Sequence, residues 1–160
     1  MLYEIEMKTK YGDGYLSIKS DRSNNYEIDP EYPNLYKAIG RTDVLRNLNG
    51  HFLFSKKLKE ILSHNSAFEF SSVNIFYKEE LISGDYYLVK ILNKIELIDY
   101  ENSTINGNPF FDTVVFKLNN IASNDLVVMD KDNECYIYYT DKFHDLVISN
   151  NIDIDLIEVL

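Results

Sequence analysis

The sequence predicts an α+β fold: a mostly antiparallel β-sheet with several short helices, some of them in two pseudo-duplicated strand–helix–strand units. Three observations carry this. The longest apolar-rich run, residues 85–100, alternates with a period of two, as a strand does. A unit of strand, capped short helix, turn and strand is found twice, 85 residues apart. Short Asn- and Gly-bearing segments break the remaining apolar runs into pieces of strand length.

In residues 85–100, Tyr87, Val89 and Ile91 share one face and Tyr86, Leu88 and Lys90 the other. Asn93-Lys94 interrupts the run, so a central strand that bends or changes sheet there is expected. A buried helix is the competing reading, because Leu88, Ile91, Leu92 and Ile95 also fit a helical stripe.

From the N-terminus, residues 3–8 and 15–19 alternate around Gly12-Asp13-Gly14, a hairpin signal. Residues 21–33 read as loop or irregular strand. Residues 34–39 read as a short helix ended by Gly40, with Leu35, Tyr36 and Ile39 on one side. A short strand is expected over 51–54. Ser55 is a helix N-cap, with Leu58, Ile61 and Leu62 at core-facing spacing, and Phe68 and Phe70 begin a strand. A turn containing Gly84 is expected over 79–85, and loop over 101–109. Strands are expected over 113–118 and 126–129, with at most one helical turn between them. The acidic stretch 130–134 is a hairpin tip leading to a strand at 135–139. The unit then returns: Thr140 replaces Ser55 as cap, Phe143, Leu146 and Val147 repeat the spacing, and Ile152 and Ile154 stand for Phe68 and Phe70.

At 160 residues the chain is expected to form one domain, 1–160, with lobes 1–84 and 85–160 as its finest division. The single cysteine, Cys135, excludes an internal disulfide and a multi-cysteine metal site. The N-terminus alternates like a strand rather than a signal peptide, and no apolar run is long enough to span a membrane. The net charge of −10 is uneven. Residues 1–80 hold 11 basic and 12 acidic side chains, residues 81–160 only 5 against 14. An acidic half repels nucleic acid and favours basic partners, although acidity also serves solubility alone.

Catalytic motifs are not assembled. His51, His64 and His144 are scattered, and Cys135 begins an apolar strand as a core cysteine would. Asp130, Asp132 and Glu134 mimic positions 1, 3 and 5 of a calcium loop, but Cys135 and Asp141 occupy positions 6 and 12, where glycine and glutamate belong. No phosphate loop, dinucleotide fingerprint or nucleophile elbow occurs. No catalytic residue, metal or cofactor is therefore expected. The candidate partner-binding residues are Asp130, Asp132 and Glu134 at the hairpin tip, Tyr136 and Tyr138 as aromatic anchors, and Asp153 and Asp155 on the polar side of the last strand.

Three segments together resemble one known family. Ser55-Lys56-Lys57-Leu58 matches a "Ser-x-x-Leu" helix entry, and Thr140-Asp141-Lys142-Phe143 a second such entry. Tyr86 to Leu92 and Leu97-Ile98-Asp99 match a central "YYLVNVL…DALD"-type stretch, with Ser103 at the serine that follows it. Over residues 50–160 the chain resembles immunity family eleven of the bacterial polymorphic toxins. Asp125-Leu126-Val127-Val128 lacks the arginine of that family's "D-I-F-R" segment, and the Thr-Gly-Val step after each helix is replaced. The resemblance implies a cytoplasmic, non-enzymatic protein that binds the catalytic domain of a cognate toxin and occludes its active site or substrate face. A basic nuclease is one candidate for that toxin. Two alternatives stay open: a small enzyme in which Asp99, Asp125 or Asp130 meets a histidine in a pocket, and an acidic β-rich module that binds a basic protein.

Overall fold

The computed structural model describes residues 1–6, 16–19, 24–31, 34–106 and 112–160. Among these residues eleven strands form two sheets. The first contains β2 (Leu16–Ile18), β3 (Asn25–Ile28), β4 (Val44–Arg46), β5 (Phe52–Ser55), β6 (Phe68–Tyr77) and β7 (Glu80–Ile91), in the order β2-β3-β6-β7-β5-β4. The second contains β1 (Leu2–Ile5), β8 (Lys94–Ile95), β9 (Val127–Asp130), β10 (Ile137–Thr140) and β11 (Leu156–Glu158), in the order β11-β1-β10-β9-β8. Helices α1 (Asn34–Ala38), α2 (Lys56–Leu62) and α3 (Asp141–Ser149) complete an α+β fold whose strand pairs are mostly antiparallel.

The run that alternates in sequence joins the sheets. β7 lies between β5 and β6, and after Leu92-Asn93 the chain enters the second sheet as β8. Tyr86 and Leu88 pack into one core, with Leu16, Ile28, Leu53 and Ile75; Val89 and Ile91 face another, with Phe54, Leu58 and Phe143. One strand thus separates two cores, as its two apolar faces require. The first sheet curls until its edges touch: Leu16 bridges Asn47, and the Leu48 N–H donates to the Leu16 carbonyl at 3.1 Å. Inside the curl, Leu35 and Ala38 of α1 cover its end, and Gly40, at φ +76°, turns the chain out of the helix.

The duplicated unit is real in three dimensions. β5 and β6 both run antiparallel to β7, which lies between them, and α2 connects them. β10 and β11 likewise run antiparallel to β1 between them, connected by α3. Outside β5 lies its hairpin partner β4, and outside β10 its hairpin partner β9. The cap residues are equivalent even in their backbone bonds: Ser55 N–H donates to the Asp43 carbonyl at 2.8 Å, Thr140 N–H to that of Leu126 at 3.0 Å. Leu58 and Leu62 of α2 and Phe143 and Val147 of α3 are buried in one shared cluster, so each helix covers the other unit as well as its own.

Several local expectations change. β1 and β2 belong to different sheets and form no hairpin; the Gly12-Asp13-Gly14 segment lies outside the described residues. β1 pairs instead with strands more than 130 positions away, which local alternation cannot report. The turn expected around Gly84 is at Lys78-Glu79, both at positive φ, the two-residue geometry that suits a twisted hairpin; Gly84 lies within β7. Residues 113–118 form isolated bridges from Thr113 to Thr104 and Phe116 to Ile98 rather than a strand. Their apolar side chains are accounted for by packing: Phe116 meets Tyr138 edge-on at 5.0 Å. Tyr36 is half-exposed and Ala38 takes its place in the core. After α3, the strand begins at Leu156 rather than Ile152, because the segment between crosses to the other sheet.

Candidate partner-binding surface

Asp130 is fully buried at the end of β9 and organises the acidic hairpin. Leu97 and Ile98 N–H donate to its Oδ1 at 3.0 and 2.9 Å. The Tyr100 hydroxyl donates to Oδ2 at 2.7 Å, and Asp132 and Asn133 N–H both do so at 3.1 Å. Desolvation pushes its pKa up, yet the bonds from Ile98, Tyr100, Asp132 and Leu97 outweigh that and hold it below the usual carboxylate value. Asp130 is therefore the post that ties hairpin to neighbouring loop, and offers a partner nothing directly.

The tip it holds is exposed at Asp132 and Glu134. Glu134 pairs with Lys94, which lowers its pKa. Glu96, beside the tip, pairs with Lys117 and Lys131, and the Lys117 hydrogen bond lowers its pKa. Tyr136 is half-buried and packed on the small cluster of Leu97, Ile98 and Val128. Tyr138 is buried in that cluster, its phenol pushed up by desolvation and by Glu4. Of the two tyrosines, Tyr136 alone presents surface.

Asp153 and Asp155 lie apart from the hairpin, on the extended segment that follows α3. The backbone of Asp153 is clamped between the two sheets: its N–H donates to Asp43 Oδ2 at 2.7 Å, and its carbonyl accepts from Asp43 N–H at 3.2 Å. Asp43 also accepts the hydroxyl of Ser55, whose Oγ in turn accepts Leu58 N–H at 3.2 Å. Asp155 is exposed, and its carbonyl accepts Glu6 N–H at 2.8 Å. This places it beside Glu4 and Glu6 of the N-terminal strand, two acids that sequence reasoning did not select because the pairing of chain ends leaves no local trace.

A cleft of about 640 Å³ opens between the first turn of α3 and the segment after the 3-10 turn Leu118–Asn120, lined by Leu2, Leu118, Ile121, Asp125, Thr140 and Leu160 among others. Asp125 reaches it; Asp99, Asp130 and the histidines are not among its lining residues. His144 stacks on Tyr3 at 4.8 Å, and Cys135 is exposed. Among the described residues, no group of three or more His, Cys, Asp or Glu could hold a metal ion. Nor, among them, is any helix long and apolar enough to cross a membrane.

Comparison with known proteins found no match among the curated ones. The model of the Immunity protein family (Imm11) matches residues 9–150. That span takes in residues 9–50, which the resembling motifs did not reach, and it includes the curled sheet, α2, α3 and the acidic hairpin. By that match over residues 9–150, the chain belongs to the Imm11 immunity protein family.

Proposed function

We propose that this chain protects its producer by binding a cognate toxin in the cytoplasm and occluding the toxin's active site or substrate-binding face, without catalysis of its own. The observation that carries this is family membership over residues 9–150. The charge distribution supports a basic target: residues 81–160 hold 14 acidic and 5 basic side chains. A nuclease, with its cationic substrate groove, is the toxin class this charge suits best. The whole chain acts as one domain in this reading, consistent with a core cluster that draws on both sheets. The surface residues proposed for contact are Asp132, Glu134 and Tyr136 at the hairpin and Asp155 after α3; Asp130, Tyr138 and the Asp153 backbone hold those positions in place.

The test is co-expression with the toxin encoded beside this protein, scored by growth rescue and by pull-down of the purified pair. Rescue together with a stoichiometric complex is expected. A toxin that kills as efficiently in the presence of the intact protein, with no complex formed, would end the immunity reading.

A further inference from the structure

The two sheets have four edges, and among the described residues three are occupied. The outer edge of β4 is capped by its own neighbour: Thr42 Oγ1 donates to the Val44 carbonyl at 3.2 Å and accepts Val44 N–H at 3.4 Å. The edge at β2 meets Asn47-Leu48. Beyond β8 the chain continues into residues 97–99, whose backbone is covered: Lys117 N–H donates to the Leu97 carbonyl at 2.7 Å and Asp99 N–H to that of Val115 at 2.8 Å. Among the described residues β11 pairs with β1 alone, and its outer side meets no other strand or bridge. Bonds from Val159 N–H to the Leu2 carbonyl and from Glu6 N–H to the Asp155 carbonyl, both 2.8 Å, turn those residues' backbones inward. With a period of two, the N–H and C=O of Leu156 and Glu158 point outward.

Unpaired edges are normally blunted by lysine, proline or a bulge, because they template further strands. β11 is short and carries Glu158, but it has no lysine, no proline and a regular register with β1. Ile157 and Val159 are 48% and 39% exposed along it. Residues 2–6 and 153–160 contain Glu4, Glu6, Asp153, Asp155 and Glu158 and no lysine or arginine. Glu4 is paired with Ile157, and Glu6 bonds to Asp155, so the acids and the exposed apolar side chains alternate along one face of this ladder. A second copy of this chain would set the same acids against themselves with no cation on either strand, which disfavours self-pairing.

We propose that β11 is the docking edge for an extended segment of the cognate toxin, added as a further strand. This rests on the immunity reading above and names its contact. Backbone bonds to Leu156 and Glu158 supply affinity without regard to sequence. Selectivity comes from alternate side chains: a lysine or arginine beside Asp155 and Glu4, and apolar residues beside Ile157 and Val159.

The test uses the complex of this protein with the toxin encoded beside it. In the free protein the Leu156 and Glu158 amides exchange quickly with solvent; in the complex they are expected to slow at least tenfold. Glu158→Pro removes an outward donor and leaves the β1 pairing intact, so it should keep the unfolding midpoint and weaken binding at least tenfold. Glu4→Lys with Asp155→Lys should weaken binding by a similar factor. A toxin that binds while both amides exchange as before, or that binds Glu158→Pro undiminished, overturns the docking edge and leaves immunity standing. A toxin that does not bind the intact protein overturns both.

Discussion

At the scale of single residues, the acids divide into those that build and those that face outward. Asp130 collects five donors on one carboxylate. Asparagine in its place keeps one acceptor but sets an N–H₂ against either the Leu97 and Ile98 amides or the Tyr100, Asp132 and Asn133 donors. Asp130→Asn should therefore cost about 3 kcal/mol in urea unfolding, the loss of charge-assisted bonds plus buried donors without partners. The sign of the pH effect follows from the lowered pKa. The contribution of Asp130 is complete above its unfolded value of about 4 and is lost as pH falls through the lower folded value. The wild type should lose stability steeply on that acid limb, and Asp130→Asn should show a shallower one. A variant as stable as the wild type at neutral pH would mean the five bonds do not hold the hairpin. Tyr86 makes the comparable post in the first sheet: its hydroxyl donates to the Thr42 carbonyl at 2.8 Å and accepts Gly40 N–H at 2.9 Å, and burial pushes its pKa up to about 12.

At the scale of elements, the duplicated unit was legible because its signals are local. A cap, an apolar triplet at helical spacing and a following β-rich run identify strand–helix–strand without knowledge of the partner strand. The inserted strands, β7 in one unit and β1 in the other, were not legible as equivalents, since one follows its unit in sequence and the other precedes it by the whole chain. The two caps also differ beneath their shared position. Ser55 bonds the helix at Leu58, whereas Thr140 donates to the Asp125 carbonyl at 2.7 Å and leaves its helix without a side-chain cap. The apolar faces match in depth: Leu58 and Phe143 are fully buried, Leu62 and Val147 are buried too, and Ile61 and Leu146 both pack at the rim of that core. Leu58→Ala should destabilise by about 2–5 kcal/mol, and Leu146→Ala by clearly less, because a half-buried leucine leaves a smaller cavity. Equal losses in thermal or denaturant unfolding would show that Leu146 fills the core as completely as Leu58 does.

For the whole molecule, alternation and caps foretold the class of fold, but not which acids would be surface. Asp130 and Asp132 look alike in a hairpin of alternating charge, and only the return of residues 97–100 against β9 buries the first. In the same way the acidic ladder of Glu4, Glu6 and Asp155 exists only because β1 is inserted beside β11. What sequence does report is the summed charge, −10, with its surplus in the second half. Such a field acts on encounter more than on the final contact: it speeds the approach of a basic toxin over distances comparable to the screening length, about 10 Å at 0.1 M salt. Reversing exposed acids should therefore slow association wherever they lie, and slow dissociation or hasten it only where they touch the partner. Asp132→Lys with Glu134→Lys, measured by stopped-flow against the cognate toxin, should lower the association rate about tenfold at low ionic strength and about twofold or less at 0.5 M. Glu134 also releases Lys94 when reversed, so Asp132→Lys alone separates steering from the lost ion pair. If the double variant changes the dissociation rate as strongly as Glu158→Pro does, the hairpin lies inside the interface with β11. If association is unchanged at low salt, electrostatic steering is absent and the acidic surplus serves solubility.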